Sequence, residues 1–354
     1  MKEIFEEICI VGSGMGGGTL AISLAQSGVR PLIVEIGSEH QSKPQKIQES
    51  GRPFALQATH ALELGGGSNL WHGVVAPLDK CDFEGVFENN LPKWPISYEE
   101  MIPYWSKALN FLGFTDEGLQ NVADYKGVNP LINEIDFNST IFKPKLFRVL
   151  TQPTRLKKRL LEHISSGSIK IMKNTVVKSI NFSNDGKAVE SVLVHAVNGD
   201  ILIKAEKFIV CAGALNTPKI FLNSDLSYLN QEVTKNIGKY LFDHPMGFLG
   251  KIIFKKKTKA SLFSDVNLNK SERIRVGLTP VKYEDFGNTN MYIRPSLRRP
   301  NSAESDKLII SLIAVRSWRD LKLKQITQML INFGTLFRLL INKFPISISY
   351  RAAD

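Results

Sequence analysis

The sequence predicts an α/β fold built around a nucleotide-binding βαβ unit, and three stretches carry that prediction. In the first, the apolar run Ile8-Cys9-Ile10-Val11 leads straight into Gly12-Ser13-Gly14-Met15-Gly16-Gly17, a helical pattern follows, and Pro31-Leu32-Ile33-Val34 ends in Glu35. In the second, β-rich runs near 175–181, 189–196 and 201–210 are separated by Asp185-Gly186 and Asn198-Gly199, both good hairpin turns. In the third, the last of those runs delivers Val210-Cys211-Ala212-Gly213-Ala214 ahead of another helical stretch.

Each part of the first stretch has a mechanical job. Gly12 permits a tight turn after the strand, Gly14 lets backbone approach a pyrophosphate, and Gly17 lets the helix pack on the strand. The helix start, with Met15 in its first turn, offers free N–H groups and a positive dipole end to a diphosphate. Glu35 closes the second strand, where a carboxylate accepts hydrogen bonds from the ribose hydroxyls of an adenosine. Together these features imply a bound dinucleotide.

The alternation then lapses. Residues 41–70 are polar and irregular, and Gly65-Gly66-Gly67-Ser68-Asn69 follows Leu64. Three consecutive glycines carry a backbone entropy cost, which implies close approach to something flat or phosphorylated. Ser97 with Glu100 three residues on reads as a capping box, opening a helix that runs to about Leu112 and ends at Gly113. The Ala212-Gly213 step suggests backbone packed against a ligand, and Thr217-Pro218 reads as the cap and first turn of the next helix. This second strand–glycine–helix unit belongs with the first, so the nucleotide domain is interrupted and resumes near residue 165.

Composition bounds the rest. A chain of 354 residues, 43% hydrophobic and 22% charged, is long enough for two domains with a substantial core. No apolar run reaches membrane-spanning length, and the only early apolar run is the first strand. Three cysteines (Cys9, Cys81 and Cys211) form an odd set, two of them in predicted buried strands, which reads as core thiols in a reducing compartment; the cytoplasm is the expected location. The net charge of +11 is spread along the chain, with local density at Lys255-Lys256-Lys257-Thr258-Lys259 and in 316–343. Aromatic residues are not interleaved as a stacking platform, so a solvated basic face is expected rather than a nucleic-acid partner. Residues 326–344 pattern as a basic amphipathic helix, for which core packing is favoured over contact with a membrane surface. Scattered cysteines and histidines give no metal-binding spacing.

From about residue 7 to 247 the chain resembles the glucose–methanol–choline (GMC) oxidoreductases, FAD-dependent enzymes that oxidise alcohols. Five ordered blocks carry the resemblance. Gly12, Gly14, Gly17 and Glu35 resemble the family's ADP-binding fingerprint, and Gly66-Gly67-Ser68-Asn69-Leu70-Trp71-His72-Gly73 is similar to its flavin-covering loop. Trp94-Pro95-Ile96-Ser97-Tyr98 is similar to a segment of the pyranose oxidase and bacterial sugar dehydrogenase branch. Val210-Cys211-Ala212-Gly213-Ala214-Leu215-Asn216-Thr217-Pro218-Lys219-Ile220 resembles the second signature, and Asn236-Ile237-Gly238-Lys239-Tyr240-Leu241-Phe242-Asp243-His244-Pro245 resembles a later block.

The resemblance implies a Rossmann-like FAD-binding domain of residues 1–40 and 165–240 with a flavin-covering loop at 62–80. Residues 81–164 and 241–354 would then be parts of a substrate domain that interrupts and follows it. It implies cofactor contacts from Gly12, Gly14, Met15, Gly17, Glu35, Gly66, Gly67, Ser68, Asn69, Ala212 and Gly213, with Val177 meeting the adenine through its backbone. Some relatives attach FAD through a histidine in the loop, but that position is Trp71 here, so non-covalent FAD is expected. His72 either stands near the flavin edge or merely lines the loop; His244 reads as structural, and His40, His60, His163 and His195 receive no role.

Alcohol oxidation needs a base for the hydroxyl proton. In the family that base is a histidine near the C-terminus, whereas this chain has no histidine after His244 and stops at Asp354. The catalytic residue is therefore unassigned. The reading expects a dehydrogenase or oxidase of an alcohol, sugar or polyol, transferring hydride to flavin N5, without its C-terminal catalytic segment: either a truncated gene product or one half of a split enzyme completed by another chain. A non-catalytic flavin-binding remnant acting through a partner is the alternative. An NAD-linked dehydrogenase fits less well, because the Cys211–Pro218 unit and the hairpin meander suit FAD-type folds.

Overall fold

The computed structural model describes residues 1–40, 60–84, 94–115, 140–239, 241, 265–282 and 291–293. The chain divides into two compact units, the first made of Met1–His72 and Pro153–Met246, the second of Gly73–Gln152 and Gly247–Asp354. The helix Leu156–Ser165 falls in the first unit. The Lys255–Lys259 run, the 326–344 pattern and His244 lie outside the described residues.

The first unit contains β1 (Lys2–Val11), α1 (Met15–Gln26), β2 (Leu32–Val34), α2 (Leu156–Ser165), β3 (Lys170–Met172), β4 (Val176–Phe182), β5 (Val189–Ala196), β6 (Gly199–Val210) and α3 (Gly213–Leu222). Its six-stranded sheet runs β3-β2-β1-β6-β5-β4. The first four strands are parallel, with Cys9 opposite Leu32 and Phe208, while β4, β5 and β6 form the antiparallel meander. Both hairpin glycines adopt positive φ, 65° at Gly186 and 107° at Gly199, as these turns require. The sheet core gathers Cys9, Val11, Leu32, Val34, Val192, Val194 and Ile203. The end of β1 is buried throughout, as expected of parallel strands covered on both faces.

Helix α1 opens Met15-Gly16-Gly17-Gly18, an arrangement that costs about 1 kcal/mol per glycine relative to alanine. Close packing explains its retention. A Cβ on Gly17 would overlap the Gly12 carbonyl oxygen, and one on Gly18 would stand 2.7 Å from Ser13 O and 3.1 Å from a Leu156 methyl. Helix α1 is thereby pressed onto its own strand and onto α2.

The expected start of α3 needs correction. Thr217 is not its cap and Pro218 is not in its first turn; the helix begins at Gly213, and Pro218 lies inside it. Gly213, at φ 83°, turns the chain into the helix soon after β6, ahead of the Thr217-Pro218 signal. The thiols are also placed: Cys9 and Cys81 are buried, and Cys211 is half-buried just past the last residue of β6.

In the second unit, four antiparallel strands pair in the order Val74–Val75, Phe142–Leu150, Glu272–Pro280, Val266–Asn267. The helix Tyr98–Leu112 has the expected boundaries, with a reciprocal Ser97–Glu100 capping box and Gly113 in the left-handed conformation as C-cap. Arg148 and Glu272 are both buried and meet at 2.5 Å. Burial pushes the Glu272 carboxyl up, but hydrogen bonds from Thr115 and Arg148 outweigh it and hold the group below its usual value.

Candidate functional site

The carboxyl ends of β1 and β6 lie side by side, and the chain leaves them into α1 and α3. Gly12 N donates to Val34 O at 2.8 Å, and Cys211 N donates to Val11 O at 2.7 Å, so the turn after β1 is tied to both neighbouring strands. Gly12 has φ 94°, and a Cβ there would stand 2.6 Å from Cys211 O, so only glycine fits. Strand order reverses here, since β2 lies on one side of β1 and β6 on the other. Open α/β sheets bind ligands at such a point.

Helix α1 begins at this crevice with Gly14 as N-cap. No side chain caps it, and its first turn holds no acidic residue. The first N–H groups of a helix lack intrahelical partners, and the dipole end here is positive. Among the described residues, a Cβ on Gly14 would meet nothing within 4 Å, so the space over this glycine is open.

The glycine loop closes one side of that space. Gly66–Asn69 forms a short 3-10 turn introduced by Gly65 at φ 88°. A Cβ on Gly66 would stand 3.0 Å from Gly14 Cα, so the two glycine segments touch backbone to backbone, while the position over Gly67 is open. Two sets of bonds hold the loop. At its start, Gly65 N donates to Ser13 Oγ at 3.0 Å, and Leu64 N donates to Ser38 O at 2.8 Å. Farther on, one Arg155 nitrogen donates to the carbonyls of Ser68 at 2.7 Å and Trp71 at 2.9 Å. Leu156 N donates to Ser68 Oγ at 3.1 Å, and Trp71 Nε1 donates to Thr154 O at 2.8 Å.

Glu35 is buried at the end of β2. Its Oε2 accepts from Ser13 N at 2.8 Å and Ser13 Oγ at 2.6 Å, and its Oε1 accepts from Gly37 N at 2.8 Å. A carboxylate has about four lone-pair sites, so these three donors leave one site, on Oε1, for a further donor. A Cβ on Gly37 would stand 2.5 Å from the Glu63 backbone, which seats the glycine loop against the segment after Glu35.

The structure thus brings Gly12, Gly14, Met15, Gly17, Ala212 and Gly213 to one end of the sheet, with Gly66 against Gly14 and Glu35 one bond from Ser13. Ser68 and Asn69 belong to the same loop, but their side chains are taken up by Leu156 N and by Leu64 O, the latter at 2.9 Å, which leaves the loop backbone as the surface offered. Val177 lies two residues past Thr175, whose N–H donates to Glu35 O at 3.0 Å, and a register shift in the β4–β5 pairing falls between Val177 and Ser179. His72 is exposed at the end of the loop. Sequence reasoning missed Ser13, Gly37, Thr154 and Arg155. Ser13 sits inside the fingerprint as a variable position, and nothing local marks Arg155 as a partner of a loop more than eighty residues earlier.

Among the described residues, Asp79, Cys81 and Asp82 are the trio whose ligand atoms lie within 4.8 Å of one another. Two of them are already engaged, Asp79 with Lys145 at 2.5 Å and Asp82 with Asp79 N at 2.7 Å.

A parallel core of four strands with a glycine turn, an uncapped helix start at its switch point and an acid closing the next strand is the arrangement at which open α/β sheets bind dinucleotides. Residues 154–246 match the family model described as GMC oxidoreductase. Similar solved structures include pyridoxine 4-oxidase from Mesorbium loti (17% identity, 60% of this chain and 50% of that one, TM-score 0.40). A formate oxidase (16% identity, 62% and 47%, TM-score 0.40) and a fungal aryl-alcohol oxidase (17% identity, 62% and 47%, TM-score 0.42) are also similar. The matched region spans about half the length of each of these structures. Comparison with curated proteins returns no match.

Proposed function

We propose that this chain holds FAD non-covalently in the cradle of its first unit and serves the oxidation of a CH–OH group in an alcohol, sugar or polyol. The observation that carries the reading is the backbone contact between Gly14 and Gly66 in front of an uncapped helix start, with Glu35 tied to the same turn through Ser13. The residues present fit the group: among the described residues the space over Gly14 and Gly67 is open to a diphosphate, the N–H groups and dipole of α1 face it, and Glu35 keeps one lone-pair site, on Oε1, for a ribose hydroxyl.

Bound flavin supplies the hydride acceptor for alcohol oxidation. The chain's own residues do the rest of the cofactor work. Gly12 and Gly17 shape the turn, Gly14 and Met15 present amide donors, and Glu35 orients the adenosine end. The 66–69 turn, fixed by Arg155 and Leu156, excludes water from one side of the cradle. Trp71, its indole bound to Thr154 O, occupies the place where covalently flavinylated relatives carry a histidine, in keeping with non-covalent attachment. None of the six histidines is assigned as the proton acceptor.

The test is an absorbance spectrum of the purified chain with and without added FAD, followed by acid precipitation. The reading expects flavin absorbance that leaves with the supernatant. A protein that takes up no FAD overturns it, and flavin that stays with the precipitate overturns the non-covalent part.

A further inference from the structure

We propose that Ser13 is a positioning residue through which occupation of the adenosine end of the cradle orders the glycine loop at 65–71; this rests on the reading that the cradle binds FAD. The side chain is fully buried between two elements distant in sequence. Its main-chain N and its Oγ both donate to Oε2 of Glu35, at 2.8 and 2.6 Å, and the same Oγ accepts from Gly65 N at 3.0 Å. A carboxylate accepts only, so the single hydroxyl proton of Ser13 is committed to Glu35 and the oxygen lone pairs are turned to Gly65.

The chain of bonds Glu35–Ser13–Gly65 therefore has one direction and no alternative arrangement that leaves every buried group paired. Glu35 is the group that meets the ribose. The loop it reaches through Ser13 is also held at its far end by Arg155 on Ser68 O and Trp71 O. One hydroxyl thus stands between the nucleotide-sensing acid and the first residue of the loop. Ligand donors on Glu35 fix the carboxylate, the fixed carboxylate holds Ser13, and Ser13 holds Gly65. An alanine at position 13 keeps the main-chain N–H to Glu35 but loses both hydroxyl bonds, and so separates nucleotide binding from loop order.

The experiment uses the full chain labelled with 5-fluorotryptophan, with the Trp71 fluorine resonance assigned by its loss in Trp71→Phe. ADP is the probe, because it carries the adenosine and diphosphate without the flavin. Its binding is measured by calorimetry alongside the fluorine spectrum, for the unaltered protein, Ser13→Ala and Ser13→Gly; the glycine variant covers the case in which alanine does not fold. The expected result is that ADP shifts and sharpens the Trp71 resonance of the unaltered protein. The serine variants bind ADP, with affinity lowered by no more than about a hundredfold (the scale of one charge-assisted hydrogen bond), but show no Trp71 response. A purely structural serine would lower thermal stability and leave the response intact. A variant that responds like the unaltered protein overturns the proposal, as does an unaltered protein that binds ADP without any change at Trp71. Failure of the unaltered protein to bind either ADP or FAD overturns the cofactor reading itself.

Discussion

Glu35 and Glu272 are both buried carboxylates at the end of a strand, one in each unit, and they are held in contrasting ways. Glu35 accepts from the main chain of Ser13 and Gly37 and from one hydroxyl. Glu272 accepts from a guanidinium, with Arg148 Nη2 at 2.5 Å and Nε at 3.1 Å, and from Thr115 N at 2.5 Å. The Arg148 group also donates to Thr115 O at 2.8 Å and lies over the Phe114 ring at 5.0 Å. Glu272 is thus neutralised by a fixed cation, and its site is closed. Glu35 accepts from neutral donors on turns and retains one lone-pair site, on Oε1. The same residue type serves as a structural tie in one unit and as a presented acceptor in the other, and the difference lies in who donates.

The largest effect on this contrast comes from removing the geometry that presents Glu35. Gly17→Ala puts a Cβ into the Gly12 carbonyl oxygen, a main-chain atom held at the sheet's end. Overpacking against side chains typically costs about 1–3 kcal/mol, and a backbone clash stands at or above that range. The expected outcome is loss of soluble protein or a marked drop in denaturation midpoint, read by circular dichroism.

Next come the two acids themselves. Glu272→Gln leaves Arg148 buried without its counter-charge, and breaking a buried pair costs about 3–5 kcal/mol. Glu35→Gln keeps one acceptor oxygen but turns its NH2 toward either Ser13 or the Gly37 N–H, leaving a buried donor unpaired, so about 1–3 kcal/mol is expected. Chemical denaturation of both variants checks the order; equal losses would erase the distinction between the two sites.

The pH dependence sharpens the contrast further. The folded-state pKa of Glu272 is lowered from the usual 4.5, so its contribution is fully present above that unfolded value and is lost as pH falls through the folded one. Thermal melts at falling pH should therefore show an acid-side loss of stability, and Glu272→Gln should flatten it. The smallest effect is expected at Ser97→Ala, which removes one half of an exposed capping box and costs about 1 kcal/mol of second-unit stability.

Much of this was legible in the sequence because the signals are local. The strand–glycine–helix spacing at 8–28, the hairpin turns at Gly186 and Gly199 and the Ser97–Glu100 cap each depend on residues within a few positions of one another, and each element appears where its signal stands. The start of α3 was misread because Thr217-Pro218 is a strong local signal that a positive-φ glycine at the strand exit pre-empts. The clasp on the glycine loop was not legible at all. Arg155 acts on carbonyls of Ser68 and Trp71, and no pattern in one dimension records which main-chain oxygens a guanidinium will find in three. Glu35 was recognised as an acceptor, but the turn amides and serine that hold it are visible only in the folded chain.

The register of β1 has a kinetic consequence. Lys2 pairs with Ile201 and Val11 with Val210, so one whole edge of the first strand waits for a partner that leaves the ribosome far later. At about 5–20 residues per second that delay is about ten to forty seconds. Throughout it, β1 presents an unpaired edge, and Ile8–Val11 is among the most apolar stretches of the chain. Nascent protein is therefore most exposed to edge-to-edge association before β6 emerges, and its yield should depend more on chaperone supply and growth temperature during synthesis than on the stability of the finished fold.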